Sequence, residues 1–467
     1  MVFSSLEFLF AFLPVSLLIY FITPLKLRNL VLLAVSLIFY GWGEPKYVLI
    51  MLFCIAINYV GGYYIEKSVT IRRSRNILIL TIVINLLLLG FFKYFDFIIK
   101  TLSFIPIFSG LKPLGIPLPI GISFFVFQSM SYTIDVYRRD VKAQKNFVSF
   151  STYVSLFPQL IAGPIVRYKD VDAQLEKREH SVSKFALGVR RFIAGLAKKL
   201  LLANTAAELF ENIKAIPDLE QTAVLSWLGI ILYTFFIYFD FSGYSDMAIG
   251  LGKIFGFDFL ENFNYPYISK SITEFWRRWH ISLSNWFRDY VYISLGGNRK
   301  GRVRTYLNLF IVWSLTGLWH GNKYNYLIWG LYFFVILVIE KLFLGKLLEK
   351  MPKVVSHLYA LFFIVIGWLI FAFENVSEGF VYLKAMLGQS GGGIWSGLTG
   401  YELLRLLPMI AIFIVACTPY PKALYTNLYE NSKAFRNVFP FVTFVVMILC
   451  VAYLVNSSYN PFIYFIF

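Results

Sequence analysis

The chain has 467 residues, of which 58% are hydrophobic, 19% aromatic and only 15% charged, with a mean hydropathy of +0.67. That composition excludes an ordinary soluble globule and marks a polytopic membrane protein. The 43 Lys and Arg against 26 Asp and Glu give a formal charge of +17, but the basic residues cluster between apolar runs. They therefore report topology and argue against a nucleic-acid partner.

A helix needs about 20 mostly apolar residues to cross a core of about 30 Å, and on that rule an all-α fold with about twelve transmembrane helices is expected. Met1-Val2-Phe3-Ser4-Ser5 lacks the positive region and cleavage pattern of a removable signal, so the run behind it is expected to stay as a span. The first span covers residues 6–22. Lys26 and Arg28 come directly after it, which places that loop in the cytoplasm and the N-terminus outside. Spans over 30–40 and 47–65 lead to Arg72, Arg73 and Arg75, and spans over 77–94 and 120–136 lead to Arg138 and Arg139; each basic cluster falls inside. Residues 147–161, interrupted by Pro158, are too short and broken to cross and predict a re-entrant or interfacial helix covered by protein.

A basic amphipathic segment occupies 184–199, whose Arg190, Arg191, Lys198 and Lys199 are placed to snorkel. After a span over 224–239, residues 240–304 contain no apolar run of spanning length and predict a set of short helices. Further spans are expected over 306–319, 326–343, 358–373, 403–417 and 439–454, which leaves the C-terminus outside as well. With no repeat or linker, residues 1–467 read as a single transmembrane domain. Cys54, Cys417 and Cys450 stand singly in apolar runs, so neither a disulfide nor a metal site is expected, nor a permanently bound cofactor.

The chemistry concentrates in residues 262–329, which hold six of the ten tryptophans and two of the four histidines. Polar, ionisable groups set among hydrocarbon are costly, and such groups mark function by default. Acyl transfer from a thioester to a hydroxyl needs a base, donors for the oxyanion and a dry site. His320, at the end of an apolar helix between Trp319 and Gly321, suits the first task. His280 either assists it or is structural, and helical spacing puts Trp276 on the same face. Arg277 and Arg278 suit phosphate binding or interfacial snorkelling. Asn262 and Asn264 suit either oxyanion donation or a turn before Pro266. Asp240 and Asp246 form a possible carboxylate pair, with capping by Asp240 or Ser242 the simpler role.

Trp276-Arg277-Arg278-Trp279-His280, Gly296-Gly297-Asn298 and Trp319-His320-Gly321 together resemble the signature of the membrane-bound O-acyltransferase (MBOAT) superfamily. Met1-Val2-Phe3-Ser4-Ser5 and Asn262-Phe263-Asn264-Tyr265-Pro266-Tyr267 are similar to its bacterial branch, which acetylates alginate, peptidoglycan and related envelope polymers. The resemblance implies a tunnel through the bilayer and a cytoplasmic acyl donor, acetyl-CoA or another thioester, as substrate. It also implies an extracytoplasmic esterase-like (SGNH-type) partner. The family's histidines fall on His320 and His280, with Trp276, Arg277, Arg278, Asn262, Asn264 and Trp319 as substrate-binding candidates. Phe462-Ile463-Tyr464-Phe465 resembles the tail motif of teichoic-acid D-alanylation relatives, which makes Tyr464 a candidate covalent relay activated by His320. A D-alanyl transferase usually relies on a separate tail peptide, so the fused tail favours acetyl. A transporter would call for inverted repeats and paired broken helices, which the sequence lacks.

Overall fold

The computed structural model describes residues 1–456, and Tyr464 lies outside them; the described residues form helices joined by turns and loops and contain no strand. In chain order, α1 (Leu13–Ile22), α2 (Arg28–Gly41), α3 (Val48–Lys67), α4 (Ile71–Leu89), α5 (Ile122–Arg138), α6 (Phe147–Ser155), α7 (Tyr168–Glu176) and α8 (Val182–Ala197) lead to the long α9 (Ala223–Ile254). The short α10 (Ile272–Arg278) and α11 (Ile281–Trp286) precede α12 (Arg302–His320), α13 (Tyr324–Ile339), α14 (Lys353–Ala372), α15 (Gly397–Ala416) and α16 (Lys433–Asn456).

Among the described residues, seven helical runs are long and apolar enough to cross a membrane: Pro45–Lys67, Ile71–Leu102, Ala223–Ile254, Tyr324–Lys350, Lys353–Ala372, Gly397–Ala416 and Lys433–Asn456. The expectation of about twelve counts shorter elements as well. The runs expected at 6–22, 30–40 and 120–136 do form helices, but α2 has 14 residues and α5 has 17. Elements of that length reach across hydrocarbon only where the bilayer thins or flanking residues snorkel.

The chain divides into two compact units, Met1–Phe192 with Tyr244–Leu260, and Ile193–Gly243 with Glu261–Phe467. In the first, α3 packs closely on both neighbours at two adjacent glycines. A Cβ on Gly61 would meet Thr81 of α4 at 2.6 Å, and one on Gly62 would meet the Tyr132 ring of α5 at 2.6 Å. Small residues of this kind let membrane helices approach where lipid offers no hydrophobic drive. Asn58 and Asn85 add a reciprocal amide pair between α3 and α4, at 3.0 and 3.1 Å. The segment expected to be re-entrant is two helices, α6 and Phe157–Leu160, broken at Leu156, and every residue from 149 to 166 is buried. Protein covers its interrupted backbone, as the cost of unpaired amides demands.

In the second unit, α12 and α13 touch backbone to backbone, since a Cβ on Gly317 would strike the Tyr326 carbonyl and one on Gly330 the Trp313 carbonyl. Gly367 of α14 sits equally tight on the Phe333 ring. This brings α12, α13 and α14 together around the end of α12.

Two expectations are overturned along α9. The helix runs unbroken past Phe239 to Ile254, so neither Asp240 nor Ser242 caps an end. Nor do the two aspartates pair with each other. Asp240, fully buried in the second unit, accepts an ion pair from Lys199 at 2.6 Å, while Asp246 in the first unit binds Arg191 at 2.7 Å. Six residues apart on a helix, they point about 120° apart. Lys199 is 1% exposed and does not snorkel.

Candidate active site

The loop that carries the central motif is built on a reversal. Ser271 caps α10 by accepting the Glu274 amide at 3.0 Å, and the helix closes after Arg278. His280 then adopts a left-handed backbone, φ +44°, before α11 starts. The i, i+4 relation expected between Trp276 and His280 is therefore broken, because the two residues belong to different helices. Trp276 instead packs with Trp313 at 4.8 Å, Phe333 at 5.0 Å and Trp329 at 5.4 Å.

Asn262 holds His280. Its Oδ1 accepts the Ser282 amide at 3.2 Å, the Ser282 hydroxyl at 2.9 Å and His280 Nδ1 at 3.2 Å. A backbone N–H can only donate, so the atom facing Ser282 is the oxygen and His280 Nδ1 carries the proton. Its Nε2 then presents a lone pair, buried and without a hydrogen-bond partner among the described residues. Burial lowers this imidazole to a pKa of about 3, which keeps it neutral at cellular pH. The asparagine fixes a tautomer, a role the sequence reading missed by weighing only oxyanion donation and turn formation.

His320 is the last residue of α12 and is 3% exposed. Three rings stand nearly perpendicular to it: Trp319 at 5.0 Å, Trp329 at 5.0 Å and Phe371 at 5.5 Å. Trp319 also meets His280 at 5.9 Å, so the two histidines share one indole between them. The indole N–H groups of Trp276 and Trp329 are buried with no partner among the described residues. The structure thus gathers His280, His320, Trp319, Trp276 and Asn262 in one aromatic cluster of the second unit.

The arginines stand apart from it. Arg278 is tied locally, to Glu274 at 2.9 Å and to the Asn264 carbonyl at 3.1 Å, while the Asn264 amide donates to the Arg278 carbonyl at 2.9 Å. Asn264 and Arg278 act here as a clasp on the loop. Arg277 is exposed.

Glu340 is a positioning residue the sequence reading passed over. Buried at the end of α13, it accepts the Ile272 amide at 2.7 Å, the Thr273 amide at 2.8 Å, the Thr273 hydroxyl at 2.6 Å and the Tyr359 hydroxyl at 3.1 Å. It anchors the first turn of α10, on which the motif rides. The available signal was an acid inside the apolar run 326–343. Charge-assisted bonds of this kind contribute about 1.5–3 kcal/mol each. Glu340→Gln is accordingly expected to lower the melting temperature of the purified protein and to reduce turnover, and thermal denaturation in detergent beside an activity assay checks both.

The sequence profile described as the membrane-bound O-acyltransferase family matches residues 46–377. The chain belongs to the MBOAT family. It is 46% identical to a probable alginate O-acetylase of Pseudomonas aeruginosa, over 87% of this chain and 79% of the relative. A probable alginate O-acetylase of Pseudomonas putida is 41% identical over 100% of both chains, and a peptidoglycan O-acetyltransferase of Helicobacter pylori is 34% identical over 84% of this chain and 80% of its own. This MBOAT protein is a multi-pass membrane acyltransferase, as the resemblance in its motifs implied.

Proposed function

We propose that this acyltransferase moves an acetyl group from a cytoplasmic thioester, with acetyl-CoA the simplest donor, across the membrane for O-acetylation of a cell-envelope polysaccharide outside. The observation that carries the reading is the buried aromatic enclosure of His320, which shares Trp319 with a second imidazole whose tautomer is fixed. Relatives named for acetylating alginate and peptidoglycan supply the substrate class.

In this scheme His320 accepts the proton of the attacking hydroxyl while its oxygen bonds to the acyl carbon. The electron pair of the C–S bond leaves on sulfur, and His320 returns the proton to the thiolate. The indole N–H groups of Trp276 and Trp329 are available to the oxyanion, and His280 Nε2 to a donor hydroxyl. A water-poor site strengthens each of these interactions. Tyr464 is the proposed intermediate acceptor, forming a phenyl ester that an esterase-like partner draws on. A tunnel open at both faces, with both termini extracytoplasmic, completes the proposal.

Inside-out vesicles supplied with acetyl-labelled donor test it. Label is expected to become protein-bound, to vanish with Tyr464→Phe, and not to appear when the donor is D-alanyl-loaded. Transfer to polymer that survives Tyr464→Phe removes the relay and leaves the acyltransferase itself standing; loading from D-alanyl donor alone overturns the acetyl reading.

A further inference from the structure

A concavity lies in the first unit, where α1 gives way to α2 and where α7 meets α8. Its volume is about 340 Å³, and Lys26, Arg28, Lys177 and Arg178 line it, with Glu176 as the one carboxylate among its lining residues. None of these four cations makes an ion pair with a described residue. Nearby, Lys184 and Lys253 do the opposite and share Asp258, at 2.6 and 2.9 Å.

The guanidinium groups are held in place from behind. Arg178 donates to Asn29 Oδ1 at 2.7 Å, to the Gln174 carbonyl at 3.2 Å and to the Tyr20 hydroxyl at 3.2 Å, and it lies over the Phe257 ring at 4.7 Å. Arg28 donates through Nε to the Thr23 carbonyl at 3.2 Å and lies over Tyr20 at 4.9 Å. These contacts use Nε and Nη1 of Arg178 and Nε of Arg28, leaving Nη2 of Arg178 and the Nη1/Nη2 fork of Arg28 for a ligand. Planar forks match phosphate oxygens, and prior fixing lowers the entropy lost on binding.

His180 links this concavity to a neighbouring one of about 410 Å³, lined by Phe21, Val182, Phe185 and Ile254, with Ser181 and Lys253 its other members. Tyr20 donates its only proton to the Phe255 carbonyl at 2.9 Å, so the 3.2 Å contact with His180 is a donation from His180 Nε2. Burial, and then the charges of Arg28, Arg178 and Lys184, push this imidazole down to about 4. It is neutral, and divides a cationic chamber from an apolar one without adding charge. Phe21 and Phe185 are more than a third exposed and Val182 is 88% exposed, so the apolar chamber opens to the surroundings of the protein. Both chambers adjoin the end of the apolar helix Phe8–Ile22, the depth of lipid headgroups on any reading of that helix as membrane-embedded.

From this pairing we infer a binding site for an anionic phospholipid, its phosphate held by Arg28, Arg178, Lys26 and Lys177 and the start of an acyl chain lying against Phe21, Phe185 and Ile254. A basic pocket at an interface suits such a headgroup, and the apolar chamber has no use for a soluble phosphate. The site is independent of the acyl-transfer reading, since it shares no residue with it.

Delipidated full-length protein in neutral detergent, titrated with dioleoyl-phosphatidylglycerol or dioleoyl-phosphatidylcholine and followed by native mass spectrometry, tests this. The expected preference for phosphatidylglycerol is about tenfold. Lys26→Ser/Lys177→Ser removes two exposed side chains that anchor nothing in the fold, and is expected to erase most of that preference while leaving helical content intact. Arg178→Gln should remove the rest. Inorganic phosphate or coenzyme A at millimolar concentration should not displace the lipid. Equal binding of the two lipids, a preference unchanged by the double lysine variant, or displacement by coenzyme A each overturns the assignment.

Discussion

His320→Ala is expected to lower acyl transfer by about 10²–10⁴-fold, the range over which a positioned general base contributes. The side chain is small beside its neighbours, and two of the three aromatic rings that surround it, Trp329 and Phe371, also contact each other at 5.3 Å. The enclosure should therefore outlast the loss of the imidazole. Label incorporation in vesicles, read beside the melting temperature of the purified variant, separates chemistry from packing. Should activity fall only in step with the folded fraction, His320 is a packing residue and the proposed base lies elsewhere. His320→Gln, which restores a polar group of similar reach but no titratable nitrogen, is expected to remain as inactive as the alanine variant.

The second large effect falls on stability. Lys199→Met leaves the Asp240 carboxylate, wholly buried in α9, without the ammonium now 2.6 Å away. Removing one partner from a buried pair costs about 3–5 kcal/mol, because the remaining charge stays desolvated. Replacing both, as Lys199→Met/Asp240→Leu, is expected to recover most of that loss, since apolar packing then takes the place of the pair. Thermal denaturation of the single and double variants in detergent gives the comparison. A double variant as unstable as the single would show that the pair's geometry, rather than its charge balance, sets the stability of this helix.

Lys199 and Asp240 also show where composition and pattern stop being informative. The apolar runs, the broken segment before Pro158 and the cluster of short helices around 270–290 were legible because burial in lipid constrains composition at each position. Pairing was not, since Lys199 and Asp240 stand 41 positions apart (240 − 199) and each had a cheaper local explanation, snorkelling for one and capping for the other. Helical register was the other blind spot. Lys199 and Glu340 lie in π-helical segments, Lys198–Ala203 and Glu340–Leu344, and Lys93 lies in a third, Gly90–Tyr94. A π turn inserts a residue and rotates the rest of the helix about its axis, so a pattern assumed to repeat every 3.6 residues aims these side chains wrongly. At the site, the motif singled out His320 and His280, and the structure places both against the Trp319 indole. The clasp of Asn264 on Arg278 and the anchoring of α10 by Glu340 depend on chain reversal, which motif spacing does not encode.

The reversal at His280 has a bearing on how this enzyme tolerates change. A side chain with a Cβ sits in the left-handed region at an energetic cost that glycine escapes and asparagine partly escapes. An alanine placed there keeps the strain and discards the bond to Asn262 that offsets it, so two defects arrive together and the assay cannot tell them apart. Glycine or asparagine relieves the strain, so that loss of the ring and its bond to Asn262 is the one defect left. Drift at this position is thereby constrained: replacements that would spare the peptide geometry give up the imidazole that Asn262 holds.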